Sequence, residues 1–227
     1  PKNIPNGKKK IAVIEEFITE GVDPGVRNVV ENAIRVYEKS GYVIEKISLP
    51  MIKYALAIYY VVIPAEISSN LSRYDGIRYG NRAEGLMGLE EVYAKTRSNG
   101  FMPENKRRIM IGNYVLSSGY FDAYYQKAQK ARTLLIKEFT KALDNYDALI
   151  GPVAPTPAFK IGSKSSDPLT MYLEDIMTVP ASLAGLPAIS VPAGSSEGMP
   201  VGLQLIGKQK DDVNILSLAR ILEETEK

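Results

Sequence analysis

Short apolar runs alternate with amphipathic stretches along most of this chain, a pattern that predicts strands separated by helices. Residues 10–15 form a compact apolar run suited to a buried strand. Asp23-Pro24 then offers a helix start, a capping oxygen followed by proline at the first helical position. Val26, Val29, Val30, Ala33, Val36 and Tyr37 fall on one face of that helix, and Gly41 supplies its stop. Residues 42–49 predict a second strand, and a strand, helix and strand of these lengths favour a parallel crossover. Residues 51–71 predict a helix interrupted near Pro64, which cannot donate a helix hydrogen bond. Residues 89–97 and 103–111 predict shorter helices.

The longest helix is expected over 120–143. There Tyr120, Tyr124, Ala128, Ala131, Leu135, Phe139 and Ala142 make one apolar stripe, and Lys127, Lys130, Lys137 and Lys141 lie on another face. A solvated face explains those lysines better than an RNA contact, because no aromatics interleave them. Residues 148–151 predict a buried strand. Asp167-Pro168 starts a helix that must end before Pro180. Residues 188–192 and 201–207 predict adjacent strands joined by a turn over 193–199, and a last helix covers 212–224. The expected fold class is α/β, a mixed sheet covered by helices. The polar stretch 81–88 is the one plausible linker.

Composition narrows the chemistry. Of 227 residues, 45% are apolar, enough for a substantial core, and the net charge of +2 argues against a nucleic-acid arm. The longest apolar stretch, 54–65, falls short of the ~20 residues a membrane-spanning helix needs. The chain has no Cys and no His, so thiolate chemistry and imidazole bases are excluded within it. No S-x-x-K occurs, and G-x-S-x-G occurs only at residues 194–198. Gly194-Ser195-Ser196-Glu197-Gly198 has the look of a nucleophile loop, but its place between two strands makes it a hairpin turn.

Several blocks carry a family resemblance. Residues 65–80 crowd Asn70, Arg73, Asp75 and Arg78 beside an apolar element. Lys106-Arg107-Arg108-Ile109-Met110-Ile111-Gly112 follows, then Tyr120-Phe121-Asp122-Ala123-Tyr124-Tyr125 and Asp147-Ala148-Leu149-Ile150-Gly151-Pro152. Asp167-Pro168-Leu169-Thr170-Met171-Tyr172, Leu183-Ala184-Gly185-Leu186-Pro187-Ala188 and Pro200-Val201-Gly202-Leu203-Gln204 complete the series. In order and spacing the chain resembles the amidase-signature family, and within it the glutamine-hydrolysing subunits of tRNA amidotransferases. The family's catalytic Gly/Ser-rich loop and upstream lysine are not in the sequence, and residues 10–15 resemble a strand from the middle of the family's fold. Residues 1–227 are therefore expected to be the C-terminal half of a single domain, its N-terminal half being a partner.

The resemblance implies roles residue by residue. Arg108 would hold a substrate α-carboxylate, for which a planar guanidinium offers two parallel hydrogen bonds. A surface ion pair is the competing reading of an isolated arginine pair. Adjacent helix residues point about 100° apart, so Arg107 is expected to meet solvent. Asp175 would receive an α-ammonium while Glu174 points elsewhere, and Tyr59 would line the pocket, a core aromatic being the alternative. No catalytic residue and no metal ligand is expected here.

The implied activity is release of ammonia from glutamine by a serine, serine, lysine triad in the other half. Two further subunits, B and C in the family's lettering, would complete a cytoplasmic complex with no membrane contact. The B subunit would use ATP and magnesium to amidate a tRNA-bound glutamate. This chain would carry no cofactor and would be inactive alone. Another amide hydrolase of the family, or a scaffolding fragment, stays open at this point. Asn70, Arg73, Asp75 and Arg78 could line the site, form a buried network or contact a partner. The chain departs from the family pattern at Met102-Pro103, Pro64 and Ser182; the first could tilt the helix that bears Arg108.

Overall fold

A mixed sheet organises the computed structural model, which describes residues 9–162 and 174–225. Its strands are β1 (Lys10–Ile14), β2 (Val43–Ile47), β3 (Ala148–Pro152), β4 (Ala188–Ser196) and β5 (Met199–Ile206), in the spatial order β2-β1-β3-β5-β4. β1 runs parallel to β2 and β3, whereas β5 is antiparallel to both β3 and β4. The central strands are apolar because both their faces are covered: Ile11, Ala12, Val13 and Ile14 and then Ala148, Leu149 and Ile150 are all buried. The helices are α1 (Pro24–Lys39), α2 (Ala55–Leu71), α3 (Leu89–Gly100), α4 (Pro103–Leu116), α5 (Lys127–Leu143), α6 (Val179–Ala184) and α7 (Asp212–Glu223). The α/β class and the mixed sheet agree with the sequence.

Contacts divide the chain into two units, one of Pro1–Leu56 with Arg132–Lys227 and one of Ala57–Ala131. In the first, α1 starts as its sequence dictates. Asp23 Oδ1 accepts from the Gly25 and Val26 amides at 2.8 and 3.1 Å, and Pro24 opens the helix. α1 and α7 both pack on the sheet and on each other, and the buried Tyr37 hydroxyl donates to the Leu218 carbonyl at 3.1 Å. Arg132 Nε donates to the Leu183 carbonyl at 2.7 Å, tying α5 to α6.

Glu197 and Gly198, at φ 52° and 77°, make the two-residue turn between β4 and β5, so the Gly-Ser-Ser segment is a hairpin and not a nucleophile loop. β4 is longer than residues 188–192. A bulge between Pro192 and Gly194 absorbs the residues that read as breakers, and pairing resumes to Ser196. Pro180 stands in the first turn of α6. Of the helix expected from Asp167-Pro168 to before Pro180, residues 167–173 lie outside the described residues, and residues 174–178 are a turn and not helix.

Two expectations are corrected. Residues 50–71 are helical throughout, a 3₁₀ turn (Pro50–Tyr54) leading into α2, and Pro64 lies inside α2 without ending it. The helix survives because Ala55, Ile58, Val62 and Ala65 bury one face at helical spacing, and packing outweighs one missing hydrogen bond. At 22 residues, Pro50–Leu71 is long and apolar enough to cross a membrane by length and composition, more than residues 54–65 alone suggest. α4 approaches α2 at Gly112, where a Cβ would sit 2.0 Å from the Pro64 carbonyl oxygen. Ser68 donates to Asn113 Oδ1 at 2.5 Å beside that contact.

The helix expected over 120–143 is the second correction, because Phe121–Gln126 is a π-helical turn and α5 begins only at Lys127. A π turn shifts the phase of the side chains. Tyr120 and Tyr124 therefore leave the stripe, 40% and 45% exposed and ringed with Tyr114, while Ala128, Leu135 and Phe139 are buried. Of the four lysines, Lys127 and Lys137 stand outside that buried stripe with Lys130 and Lys141, as the pattern of polar positions requires.

Candidate functional site

Pro103 at the first position of α4 pre-sets its backbone, so Met102-Pro103 starts the helix rather than distorting it. One turn later stand Arg107 and Arg108. The Arg108 side chain is 23% exposed, and its Nε donates to Glu104 Oε1 at 2.9 Å. Its Nη1 donates to the Tyr59 hydroxyl of α2 at 3.3 Å, and the guanidinium lies 6.0 and 5.9 Å from the Tyr59 and Tyr60 ring centres. Those rings meet edge to face at 5.1 Å. Burial works against the positive charge of Arg108, yet its hydrogen bonds to Glu104 and Tyr59 outweigh that and hold its pKa above the usual value.

Arg108 and Tyr59 are thus brought together. Arg107 is more exposed, as its angular offset requires, but it is not simply solvated: Nη1 donates to Glu104 Oε2 at 2.9 Å. Glu104 is the residue that sequence reasoning passed over. Its signal was present in the spacing, an acid three and four residues ahead of two arginines.

Asp175 lies in the other unit, in the turn before α6. It lines a cavity of about 380 Å³ with Val26, Val153, Ala158, Phe159 and Ser190. Glu174 lines the same cavity, which corrects the expectation that it points elsewhere. No helix separates the two side chains there, since both occupy a turn, and Glu174 accepts from the Thr156 hydroxyl at 3.1 Å. The Asp175 carbonyl takes the Thr178 and Val179 amides at 3.1 and 3.0 Å, which fixes the backbone under its exposed carboxylate.

Residues 65–80 do not form a buried network. Asn70, Arg73 and Arg78 are exposed, and Asp75 accepts from the Ile77 amide at 2.8 Å within a turn. The neighbouring carbonyls of Leu71 and Tyr74 are held instead by Arg97, at 2.8 and 3.1 Å.

The family model described as Amidase matches residues 1–216. The chain is 55% identical to the A subunit of glutamyl-tRNA(Gln) amidotransferase from Geobacillus kaustophilus, over 95% of its own length and 44% of that protein's. It is 52% identical to the protein of the same name from Lactiplantibacillus plantarum, over 89% and 42%. Among solved structures, the A subunit of glutamyl-tRNA(Gln) amidotransferase from Thermotoga maritima matches with a TM-score of 0.73 at 41% identity, covering 97% of this chain and 44% of that one. A 6-aminohexanoate cyclic dimer hydrolase shares the fold, with a TM-score of 0.72 at 17% identity over 97% of this chain and 45% of that one. The chain spans less than half the length of the curated relatives it matches.

Proposed function

The chain belongs to the amidase family, and we propose that it is the C-terminal half of the A subunit of a glutamyl-tRNA(Gln) amidotransferase. The observation that carries this reading is the Arg108 guanidinium, partly buried and braced by Glu104 and Tyr59 in a chain 55% identical to such a protein. An amide hydrolase acting on an uncharged amide has no use for it. A free amino acid does, because binding a zwitterion away from bulk water requires both of its charges to be answered. Arg108 would take the α-carboxylate, Asp175 the α-ammonium, and the Tyr59 hydroxyl would stand at the edge of the carboxylate site.

The hydrolytic step belongs to the other half of the protein, where two serines and a lysine would open the side-chain amide and release ammonia. The present chain contributes recognition. The B and C subunits complete the cytoplasmic assembly. The B subunit, with ATP and magnesium, would use the ammonia to convert tRNA-bound glutamate to glutamine.

The test is Arg108→Ala in the full-length protein assembled with its partners. Losing one partner of a desolvated charge pair typically costs ~2–5 kcal/mol, so glutamine-dependent amidation should fall at least tenfold. Amidation driven by added ammonia, which bypasses this pocket, should fall far less. Equal loss of both activities would overturn the assignment and leave Arg108 a folding role.

A further inference from the structure

Arginine presents its five N–H groups along two carboxylate-matching edges, a side edge of Nε with Nη2 and an end edge of Nη1 with Nη2. In this chain the side edge is already engaged, because Glu104 Oε1 takes Nε at 2.9 Å. Tyr59 takes only one of the two Nη1 hydrogens. The second Glu104 oxygen is held at 2.9 Å by Arg107, so the carboxylate that orients Arg108 is itself anchored from the opposite side.

We propose that Glu104 is a positioning residue for substrate selection: it occupies the side edge of Arg108 and leaves only the end edge to meet the carboxylate of an amino-acid substrate. The proposal rests on the reading of Arg108 as the carboxylate site. A guanidinium free to rotate would meet a carboxylate along either edge and lose orientation. One pinned at Nε and stacked beside Tyr59 and Tyr60 offers a single direction of approach. Glu104 also sits in the first turn of α4, where a carboxylate stabilises a helix by its charge alone, and that is the rival role the experiment must separate.

The experiment compares glutamine with glutamine amide, in which a neutral carboxamide replaces the α-carboxylate, in the full-length assembled enzyme. Glu104→Ala should raise KM for glutamine about tenfold with kcat changed far less, as expected for lost ground-state binding. Glu104→Gln keeps an acceptor for Nε and should lose only about threefold, a partial rescue that a charge effect on the helix would not produce. In each variant the preference for glutamine over glutamine amide should shrink by as much as its own loss on glutamine, about tenfold for Glu104→Ala and about threefold for Glu104→Gln. If kcat/KM falls in parallel for the two substrates, or follows a lowered thermal midpoint, Glu104 is a helix-start residue and the proposal is wrong. Arg108→Lys, run alongside, separates the two levels. An unchanged substrate preference in Arg108→Lys overturns the carboxylate site itself. A changed preference there, with none in the Glu104 variants, overturns only the positioning role.

Discussion

Asp175 has no side-chain partner among the described residues, although it lines a cavity whose other walls include Val26, Val153 and Phe159. A carboxylate at that cavity wall is open to a cation that seats in the cavity, and its attraction grows as the ligand displaces water. Asp175→Asn should therefore weaken glutamine far more than a simple amide without an α-ammonium, because the lost interaction exists only for the zwitterion. The expected outcome in the assembled enzyme is a fall of roughly tenfold or more in kcat/KM for glutamine relative to the simple amide. A fixed ratio between the substrates would remove Asp175 from recognition. At this scale the sequence was informative where chemistry is local. Arg107-Arg108 and the acid at Glu104 can be found from helical spacing alone. The Thr156 and Glu174 pair could not, because eighteen positions separate them and no helical or strand period relates the two.

Elements were legible wherever one face has a single period and its ends carry caps, as in α1 with Asp23-Pro24 and Gly41. They were misread where tertiary packing overrode a local breaker. Pro64 is the clearest case, since the helix end it suggests is erased by the contact of α2 with α4. Gly112 makes that contact possible, and Gly112→Ala tests it. Alanine would gain about 1 kcal/mol in helix propensity, while overpacking costs about 1–3 kcal/mol. A Cβ placed 2.0 Å from a backbone oxygen favours the high end, so the net expectation is a loss of about 2 kcal/mol in the unfolding free energy of the full-length protein, read from denaturation curves. No loss would mean that the two helices are free to separate.

Tyr37 tests the other seam, between α1 and α7. Burial first, and the nearby Tyr42 second, push its hydroxyl pKa well above 10, so the folded state holds that proton more tightly than the unfolded chain. Its contribution is then complete below pH 10 and is lost as pH rises through the elevated value. Tyr37→Phe should cost about 1 kcal/mol at neutral pH, through one buried hydrogen bond to Leu218. Its stability should also decline less steeply above pH 10 than that of the native chain. Identical alkaline profiles would show that the hydroxyl titrates as it would in water.

For the whole molecule, the mixed α/β sheet was readable from the alternation of apolar runs with amphipathic ones. The division into two units was not, because it falls inside helices: Leu56 and Ala57 lie within α2, and Ala131 and Arg132 within α5. No composition shift marks such a boundary. The last prediction belongs to this scale: the chain by itself does not release ammonia from glutamine. Amide hydrolysis needs a nucleophile with a base within hydrogen-bond reach. This sequence has no His, no Cys and no S-x-x-K, while its G-x-S-x-G match, residues 194–198, is the paired end of β4 and the turn of the β4–β5 hairpin. The measurement is ammonia release from glutamine by the purified chain, before and after it is mixed with the serine- and lysine-bearing half of a related protein. Turnover is expected only in the mixture, and there it should depend on Arg108. Turnover by the purified chain that survives repurification, and is lost on substituting a serine or lysine of this sequence, would place a catalytic centre within it and overturn the recognition role assigned here.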